Sequence, residues 1–259
     1  MAAARLRRSD RGQVQRRREP PLSTLEFVLG LLVFTVGCTI QGVLGFGAGL
    51  FAVPILALIA PDFVPGPVLL ANPLLCALYA WREHGAIDRA GLRWALIGRV
   101  PGVLFGAWVL TAVSEDGIGL LFGTLLLVGV GLKVSGVHAT KTPWTLMGAG
   151  GLSGFMGTSV AVGGPPIALV LDGSSGPELR ATLNAFFFVG TTISLVVLTL
   201  AGEFGTSDLL LALSLLPSVL VGVALSSRLR PLLDHGWLAP AVYVLSGSFA
   251  VLLLLRSLF

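Results

Sequence analysis

Charged residues are scarce in this sequence. They make up 12% of its 259 residues, whereas 54% are hydrophobic and the mean hydropathy is +0.90. A soluble globular domain carries roughly 25% charged residues. A chain of this length has too little interior to hide so much apolar surface from water. The sequence therefore predicts that lipid surrounds most of the molecule and that the bilayer is its first partner.

Residues that carry enzyme or metal chemistry are also few. The three histidines (His84, His138 and His235) lie in predicted loops without the HExxH spacing of zinc enzymes. Cys38 and Cys76 are isolated within apolar segments and form neither a metal motif nor a disulfide framework. No pair of carboxylates lies inside an apolar segment, and no Walker motif is present. We expect no catalytic residues, no metal, no cofactor and no enzyme activity.

Basic charge is concentrated at the start of the chain. Seven of the seventeen basic residues lie in the first eighteen positions, beside one acid, Asp10. The pI of 9.7 therefore reflects a tail, and no nucleic-acid-binding face is predicted. We interpret residues 1–24 as a basic cytoplasmic tail that anchors the first membrane segment under the positive-inside rule. A targeting signal is the alternative.

Eight apolar runs follow the tail. A bilayer core of about 30 Å needs roughly 20 residues of helix, and in lipid a helix satisfies its own backbone. The ten-residue alternation of membrane β-barrel strands is absent. We therefore predict an all-α, polytopic transmembrane bundle of about eight helices in the cell membrane. The runs cover residues 25–60, 63–81, 92–113, 117–134, 144–171, 181–201, 209–227 and 237–255.

Two of these runs are longer than the others and are interrupted. The first contains Gln41-Gly-Val-Leu-Gly-Phe-Gly-Ala-Gly49 and then Pro54. The second contains a glycine cluster that ends at Gly157, followed by Gly163-Gly-Pro-Pro166. Glycine and proline both interrupt helices, and irregular backbone at membrane depth survives only when it is buried or lines a cavity. We expect the functional interior of the molecule at these two places.

The two interrupted runs also match each other. Pro101-Gly-Val-Leu-Phe-Gly106 and Pro217-Ser-Val-Leu-Val-Gly222 add a second match, 116 residues apart. We predict two homologous halves, residues 25–140 and 141–259, each with a first segment broken by glycine and proline. The residues that recur after 112 positions are Gly42, Gly45, Pro54, Ile55 and Asn72, which correspond to Gly154, Gly157, Pro166, Ile167 and Asn184.

Loop charges favour an inverted arrangement of the halves. In the first half a basic loop precedes an acidic turn, and in the second half the order is reversed. Basic loops face the cytoplasm, so opposite orders indicate opposite orientations, as in many secondary transporters. An inverted repeat needs an odd number of crossings per half, whereas the runs give four. The charges are Arg82, Arg89, Arg93, Glu115 and Asp116, then Glu203, Asp208, Arg228 and Arg230.

The two glycine–proline motifs resemble those of the TauE/SafE family, the sulfite-exporter or toluene-sulfonate uptake (TSUP) membrane proteins. The segments are 42–54 and 154–166, supported by 82–88 and 180–184, and the resemblance spans nearly everything after the tail. The first motif departs from the family pattern because Phe46 and Ala48 separate its glycines. The resemblance implies a secondary permease or exporter of small anionic solutes, such as sulfite or organosulfonates.

A broken helix offers a physical route to anion binding. The second half-helix would begin with unpaired N–H groups and a positive dipole end, and glycines would let an oxyanion approach them closely. Alternatively, the glycines permit close helix packing and the polar side chains bridge helices. The predicted substrate-binding residues are Gln41, Gly45, Gly47, Gly49, Pro54, Asn72, Gly157, Thr158, Ser159, Gly163, Gly164, Pro165, Pro166 and Asn184.

Two arginines near this set receive different interpretations. Arg99 is seven residues into its apolar run, and we expect its side chain to snorkel to the interface rather than bind substrate. Arg180 is close in sequence to Asn184 and is a candidate for attracting anions. A membrane enzyme and an assembly partner remain the non-transport alternatives, and the oligomeric state is left open.

Overall fold

The computed structural model describes residues 22–113, 115–135, 139–233 and 237–258. These residues form ten α-helices, two short 3₁₀ turns and no strands, so the all-α prediction is confirmed. The first 21 residues, most of the predicted tail, lie outside the described part. The helices are α1 (Thr24–Leu44), α2 (Ala48–Ile59), α3 (Gly66–Arg82), α4 (Arg89–Ala112), α5 (Glu115–Val134), α6 (Pro143–Val160), α7 (Gly164–Val170), α8 (Gly176–Ala201), α9 (Thr206–Leu233) and α10 (Leu238–Leu258).

The predicted count of about eight helices is not confirmed, because each interrupted run forms two helices. The break between α1 and α2 contains Gly45 and Gly47, whose φ angles of 88° and 123° lie in the region that favours glycine. The break between α6 and α7 contains Ala161 at φ 56°, followed by Val162 and Gly163. An alanine with positive φ is uncommon and indicates that the surrounding packing holds this break in place.

Five helices are long and apolar enough to cross a membrane: α1, α4, α8, α9 and α10. Their outward faces carry large exposed apolar side chains, among them Leu32, Phe105 and Val244. In water such faces would be unfavourable, whereas in lipid they are well solvated. The prediction of a multi-pass membrane protein is therefore confirmed.

Glycines let two helix pairs pack with their backbones in contact. On α4, a Cβ atom added to Gly98 or Gly102 would overlap the carbonyl groups of Met147 or Gly151 on α6. On α9, a Cβ added to Gly222 would meet the side chain of Cys38 on α1. Small residues at four-residue spacing produce such close packing in membrane helices. The packing interpretation of the glycines therefore holds for these two helix pairs.

One end of the bundle collects basic residues, and we call it the cationic end. There α3 finishes beside the start of α8, since Glu83 pairs with Arg180 at 3.2 Å. The starts of α4 and α6 lie there too, joined by Asp88 and Lys141 at 2.9 Å. The last turns of α9 also reach this end, because Arg230 pairs with Glu83. Helices α1 and α9 run in the same direction, since Ser218 bonds to Leu31 and Arg230 to Gly42, so α1 begins at the opposite end.

Candidate functional site

The two helix breaks face each other and enclose a small cavity. A Cβ added to Gly49 would overlap the carbonyl oxygen of Ala161, and one added to Gly164 would lie 3.3 Å from the Cβ of Phe46. The cavity has a volume of about 40 Å³, which is room for a few water molecules or one small ion. Its lining consists of Gln41, Phe46, Gly47, Gly49, Leu50, Leu69, Asn72, Arg99, Gly157, Ala161, Val162, Gly163, Gly164, Phe187 and Thr191.

Arg99 is the charged residue in this lining, and its position contradicts the sequence interpretation. It is only 2% exposed, so its side chain does not snorkel to the interface. Ten residues separate it from Arg89 at the start of α4, which places it about 15 Å along the helix at 1.5 Å per residue. That depth is close to the middle of a bilayer core of about 30 Å. A guanidinium is always protonated in proteins, so a permanent positive charge lies at the centre of the bundle.

Glycines on two other helices form the slot that accommodates this side chain. A Cβ added to Gly190 of α8 would overlap the Nε, Cδ and Cζ atoms of Arg99. On α6, a Cβ added to Gly157 would lie 3.3 Å from Nη2, and one added to Gly154 would lie 3.0 Å from Cγ. The ring of Phe186 closes one side, with its centroid 4.6 Å from the guanidinium carbon. This distance allows a cation–π interaction.

The partners of Arg99 do not neutralise its charge. Its Nη1 donates to the hydroxyl of Ser153 at 3.4 Å, and that hydroxyl donates to the carbonyl of Gly163 in the second break. Its Nε has no hydrogen-bond partner, and no carboxylate forms an ion pair with it, among the residues that the structure describes. A buried charge without a counter-charge is costly. The site is therefore electrostatically suited to an anion.

Amide side chains connect the first break to its neighbours. Gln41 donates to Asn184 at 3.1 Å and accepts from the backbone N–H of Ala48, which opens α2. Asn184 donates to the carbonyls of Arg180 and Gly45 at 2.8 and 3.4 Å. These bonds attach the first break to α8. Gln41 lines the cavity, whereas Asn184 does not.

A second amide bridge crosses the middle of the bundle. Asn72 of α3 donates to the hydroxyl of Thr191 on α8 at 3.0 Å, and both residues line the cavity. They supply neutral polar groups beside the guanidinium. Such groups can complete the hydrogen bonding of a small anion once its charge is matched.

The two half-helix starts differ in the N–H groups that they offer. At the start of α2, Gly49 and Leu50 belong to the first turn, where N–H groups have no acceptor within the helix, and both line the cavity. At the start of α7, Pro165 and Pro166 have no N–H to donate. The expected symmetry of donors is therefore absent, and α2 is the better source of backbone donors.

Half of the predicted site residues line the cavity, and half serve the frame around it. Thr158 bonds to Ser194 at 2.8 Å, and Ser159 donates to backbone carbonyls of Phe155 and Gly106. The lining members are Gln41, Gly47, Gly49, Asn72, Gly157, Gly163 and Gly164. The members outside the lining are Gly45, Pro54, Thr158, Ser159, Pro165, Pro166 and Asn184.

Sequence reasoning missed Arg99 and Thr191 among the polar lining residues. Counting from the first apolar residue placed Arg99 near one end of a segment, whereas the helix begins at its N-cap, Asp88, whose side chain accepts from the N–H of Gly91. Asp88 is a typical N-cap residue, and recognising it in the sequence would have placed Arg99 in the middle of its helix. No sequence signal distinguished Thr191 from the other hydroxyl residues of α8.

The fold and the site together define a class. Helix breaks that meet at membrane depth around a polar cavity are the arrangement of secondary membrane transporters. The family profile described as sulfite exporter TauE/SafE matches residues 29–253. The chain belongs to the TauE/SafE sulfite exporter family, and the resemblance noted in its motifs is confirmed. It is thus a multi-pass membrane transporter.

Comparison with curated proteins and with solved structures gave no match.

Proposed function

We propose that the chain transports small oxyanions, of the class of sulfite and organosulfonates, through the cavity between the two helix breaks. The observation that carries the proposal is Arg99, a buried cation at mid-membrane with an unpartnered Nε and no neighbouring carboxylate among the described residues. An anion in the cavity would supply the missing counter-charge. Asn72, Thr191 and the first-turn N–H groups of α2 would donate hydrogen bonds around it, and Gln41 lines the same cavity.

We also propose that the transporter consists of two inverted halves, residues 25–140 and 141–259. Helices of the first half run opposite to the helices five places later: α1 runs toward the cationic end and α6 away from it, and the same holds for α3 and α8. Helix contacts repeat as well, because α1 packs on α9 as α6 packs on α4. Each half contains five helices, an odd number, which is consistent with inversion, although α2 and α7 are too short for a full crossing.

The starts of the two short helices support a different alignment of the halves from the 112-residue match. Gly47 and Gly163, the N-caps of α2 and α7, are 116 residues apart. The proposed offset is thus four residues larger than the sequence match of 112, or about one helical turn.

For the location, we propose the cell membrane with the cationic end in the cytoplasm. The sequence predicted that the basic tail and the basic loops both lie in the cytoplasm. In the structure α1 begins at the end opposite those loops, so the proposal places the start of α1 outside the cytoplasm and departs from that prediction. Arginines at the cationic end belong to α3, α4, α8 and α9, so both halves contribute to the bias. Labelling of Ser23→Cys and Ser227→Cys by an impermeant thiol reagent in right-side-out vesicles tests this. Reaction of Cys at position 227 alone would contradict it.

The transport proposal is tested with purified protein in proteoliposomes. Saturable flux of radiolabelled sulfite, thiosulfate or methanesulfonate is measured for the wild type, Arg99→Gln and Arg99→Lys. We expect Arg99→Gln to lower the flux at least tenfold and Arg99→Lys to retain part of it, because a lysine keeps the charge but lacks the planar donor fork. Arg93→Gln is the matched control, since Arg93 lies exposed on the same helix.

Two results would contradict the proposal. One is flux through Arg99→Gln equal to that of the wild type. The other is the absence of saturable flux of all three anions through wild-type protein that is shown to be folded.

A further inference from the structure

Two arginines pair with one carboxylate at the cationic end, and a third arginine lies nearby. Arg180 donates from Nε and Nη2 to Glu83, both at 3.2 Å, and Arg230 donates to the same carboxylate from Nη1. Arg82 adds a third guanidinium, bonded to Ser227 on α9 at 2.6 Å. Among the described residues, Glu83 is the carboxylate that pairs with this group. Positive charge is therefore in excess.

The cluster is partly shielded from water, and it has an unused donor. The side chains of Arg180, Glu83 and Arg230 are 9%, 14% and 25% exposed. The Nε of Arg230 is buried and has no partner among the described residues, although its Nη2 donates to the carbonyl of Gly42 at 3.1 Å. A guanidinium with one N–H group that lacks an acceptor can donate a hydrogen bond to an oxyanion.

Hydrogen bonds connect this cluster to the cavity. The carbonyl of Arg180 accepts from Asn184, and the side-chain oxygen of Asn184 accepts from Gln41 in the cavity lining. The backbone of Arg180 also packs on Gly45, where a Cβ would lie 2.8 Å from its Cα. A movement of Arg180 would therefore displace the residues of the first helix break.

We propose that Arg180 and Arg230 form a second anion-binding site at the cationic mouth of the transport path, occupied in this state by the Glu83 carboxylate. An incoming small oxyanion takes over the guanidinium donors and releases Glu83. The Glu83 pairs tie together the ends of α3, α8 and α9, so their release frees the mouth to open. The inference rests on the proposed function in that the anion is the transported solute.

A thiol placed at the mouth reports on this site without measuring transport. Ser227 is exposed and contacts Arg82, whereas the native Cys38 and Cys76 are buried and beyond an impermeant reagent. The Ser227→Cys protein is labelled with the anionic reagent 2-sulfonatoethyl methanethiosulfonate. The measured quantity is the methanesulfonate concentration that halves the labelling rate.

Removing the internal carboxylate is expected to strengthen binding. With Glu83→Gln, the half-blocking concentration falls at least fivefold, since methanesulfonate no longer competes with a carboxylate held in place. Adding Arg230→Gln to that variant reverses the fall. Glu178→Gln is the matched control, because Glu178 pairs with Lys141 at the same end and leaves the half-blocking concentration unchanged.

The inference is overturned if Glu83→Gln leaves the half-blocking concentration within twofold of its starting value, or if Arg230→Gln fails to reverse the change. Should Glu83→Gln not fold, Glu83→Asp keeps the charge on a shorter side chain and is expected to produce a smaller fall. An unchanged value there overturns the inference as well. Arg99→Gln separates the two proposals: loss of flux with mouth binding intact supports both, and unchanged flux overturns the transport proposal alone.

Discussion

The side chain of Arg99, on α4, fills the space beside Gly190 on α8 that a Cβ of residue 190 would occupy. Only a glycine on α8 permits the arginine to cross to the cavity. The buried charge is therefore produced by two helices together, and each can be altered separately.

Gly190→Ala is expected to displace Arg99 and to lower anion flux at least tenfold. The added methyl group would overlap Nε, Cδ and Cζ, which must shift out of their buried slot. Flux in proteoliposomes measures the effect. Gly148→Ala is the control, because a Cβ there meets no described residue within 4 Å, and it should transport like the wild type. Equal flux from both variants would show that the slot does not matter.

Ser153→Ala is expected to raise the anion concentration needed for half-maximal flux several-fold. The hydroxyl joins Arg99 to Gly163, so its loss removes the hydrogen bond that positions the guanidinium beside the cavity and leaves a buried acceptor unpaired, at a cost of about 1–3 kcal/mol. Ser159→Ala is the control, since this buried serine on the same helix bonds, among the described residues, to carbonyls of Phe155 and Gly106. A similar effect from the two variants would contradict the role given to Ser153.

Gly102→Val is expected to destabilise the protein through the α4–α6 contact. The new side chain would overlap the backbone of Gly151, and overpacking of this kind costs about 1–3 kcal/mol. Each kcal/mol lowers Tm by about 2–4 °C in a chain of this size. Gly131→Val, whose Cβ would meet none of the described residues within 4 Å, should change Tm little. Thermal unfolding in detergent compares them, and equal Tm values would argue against backbone contact.

Asp88→Asn is expected to lower Tm slightly at neutral pH and not at all in acid. Burial acts to raise the pKa of Asp88, but the N–H of Gly91 and the ammonium of Lys141 outweigh it and hold the pKa below 3.8. A lowered carboxyl pKa stabilises the fold above the unfolded value and ceases to do so as the pH falls through the folded value. The Tm difference should therefore be constant above about pH 5 and vanish below the folded pKa. A difference that persists in strong acid would contradict an ionic origin.

Much of the fold follows from local sequence signals. Mean hydropathy and run lengths indicated a helical membrane bundle, because a helix satisfies its backbone without help from distant residues. Glycine and proline marked both breaks, since their effects on φ and on N–H donors belong to the residue itself. The helix count was less accurate because hydropathy does not register a turn as short as Gly45-Phe46-Gly47.

The candidate site was predicted less completely. Gln41, Asn72 and the break glycines line the cavity as the motifs indicated, but Thr158 and Ser159 point to neighbouring helices instead. A motif gives the positions near a break, and the helix rotation then decides which of them face inward. That rotation is fixed by the packing of α6 on α4 and α8.

The sequence by itself determined that this chain is an all-helical membrane protein of the TauE/SafE family with two broken segments, because composition, periodicity and glycine–proline motifs act over short stretches of chain. Only the tertiary structure decided that Arg99 is buried at the centre. Its burial requires Gly190 from α8 and Gly154 and Gly157 from α6, and residues so distant in sequence meet only when the helices pack.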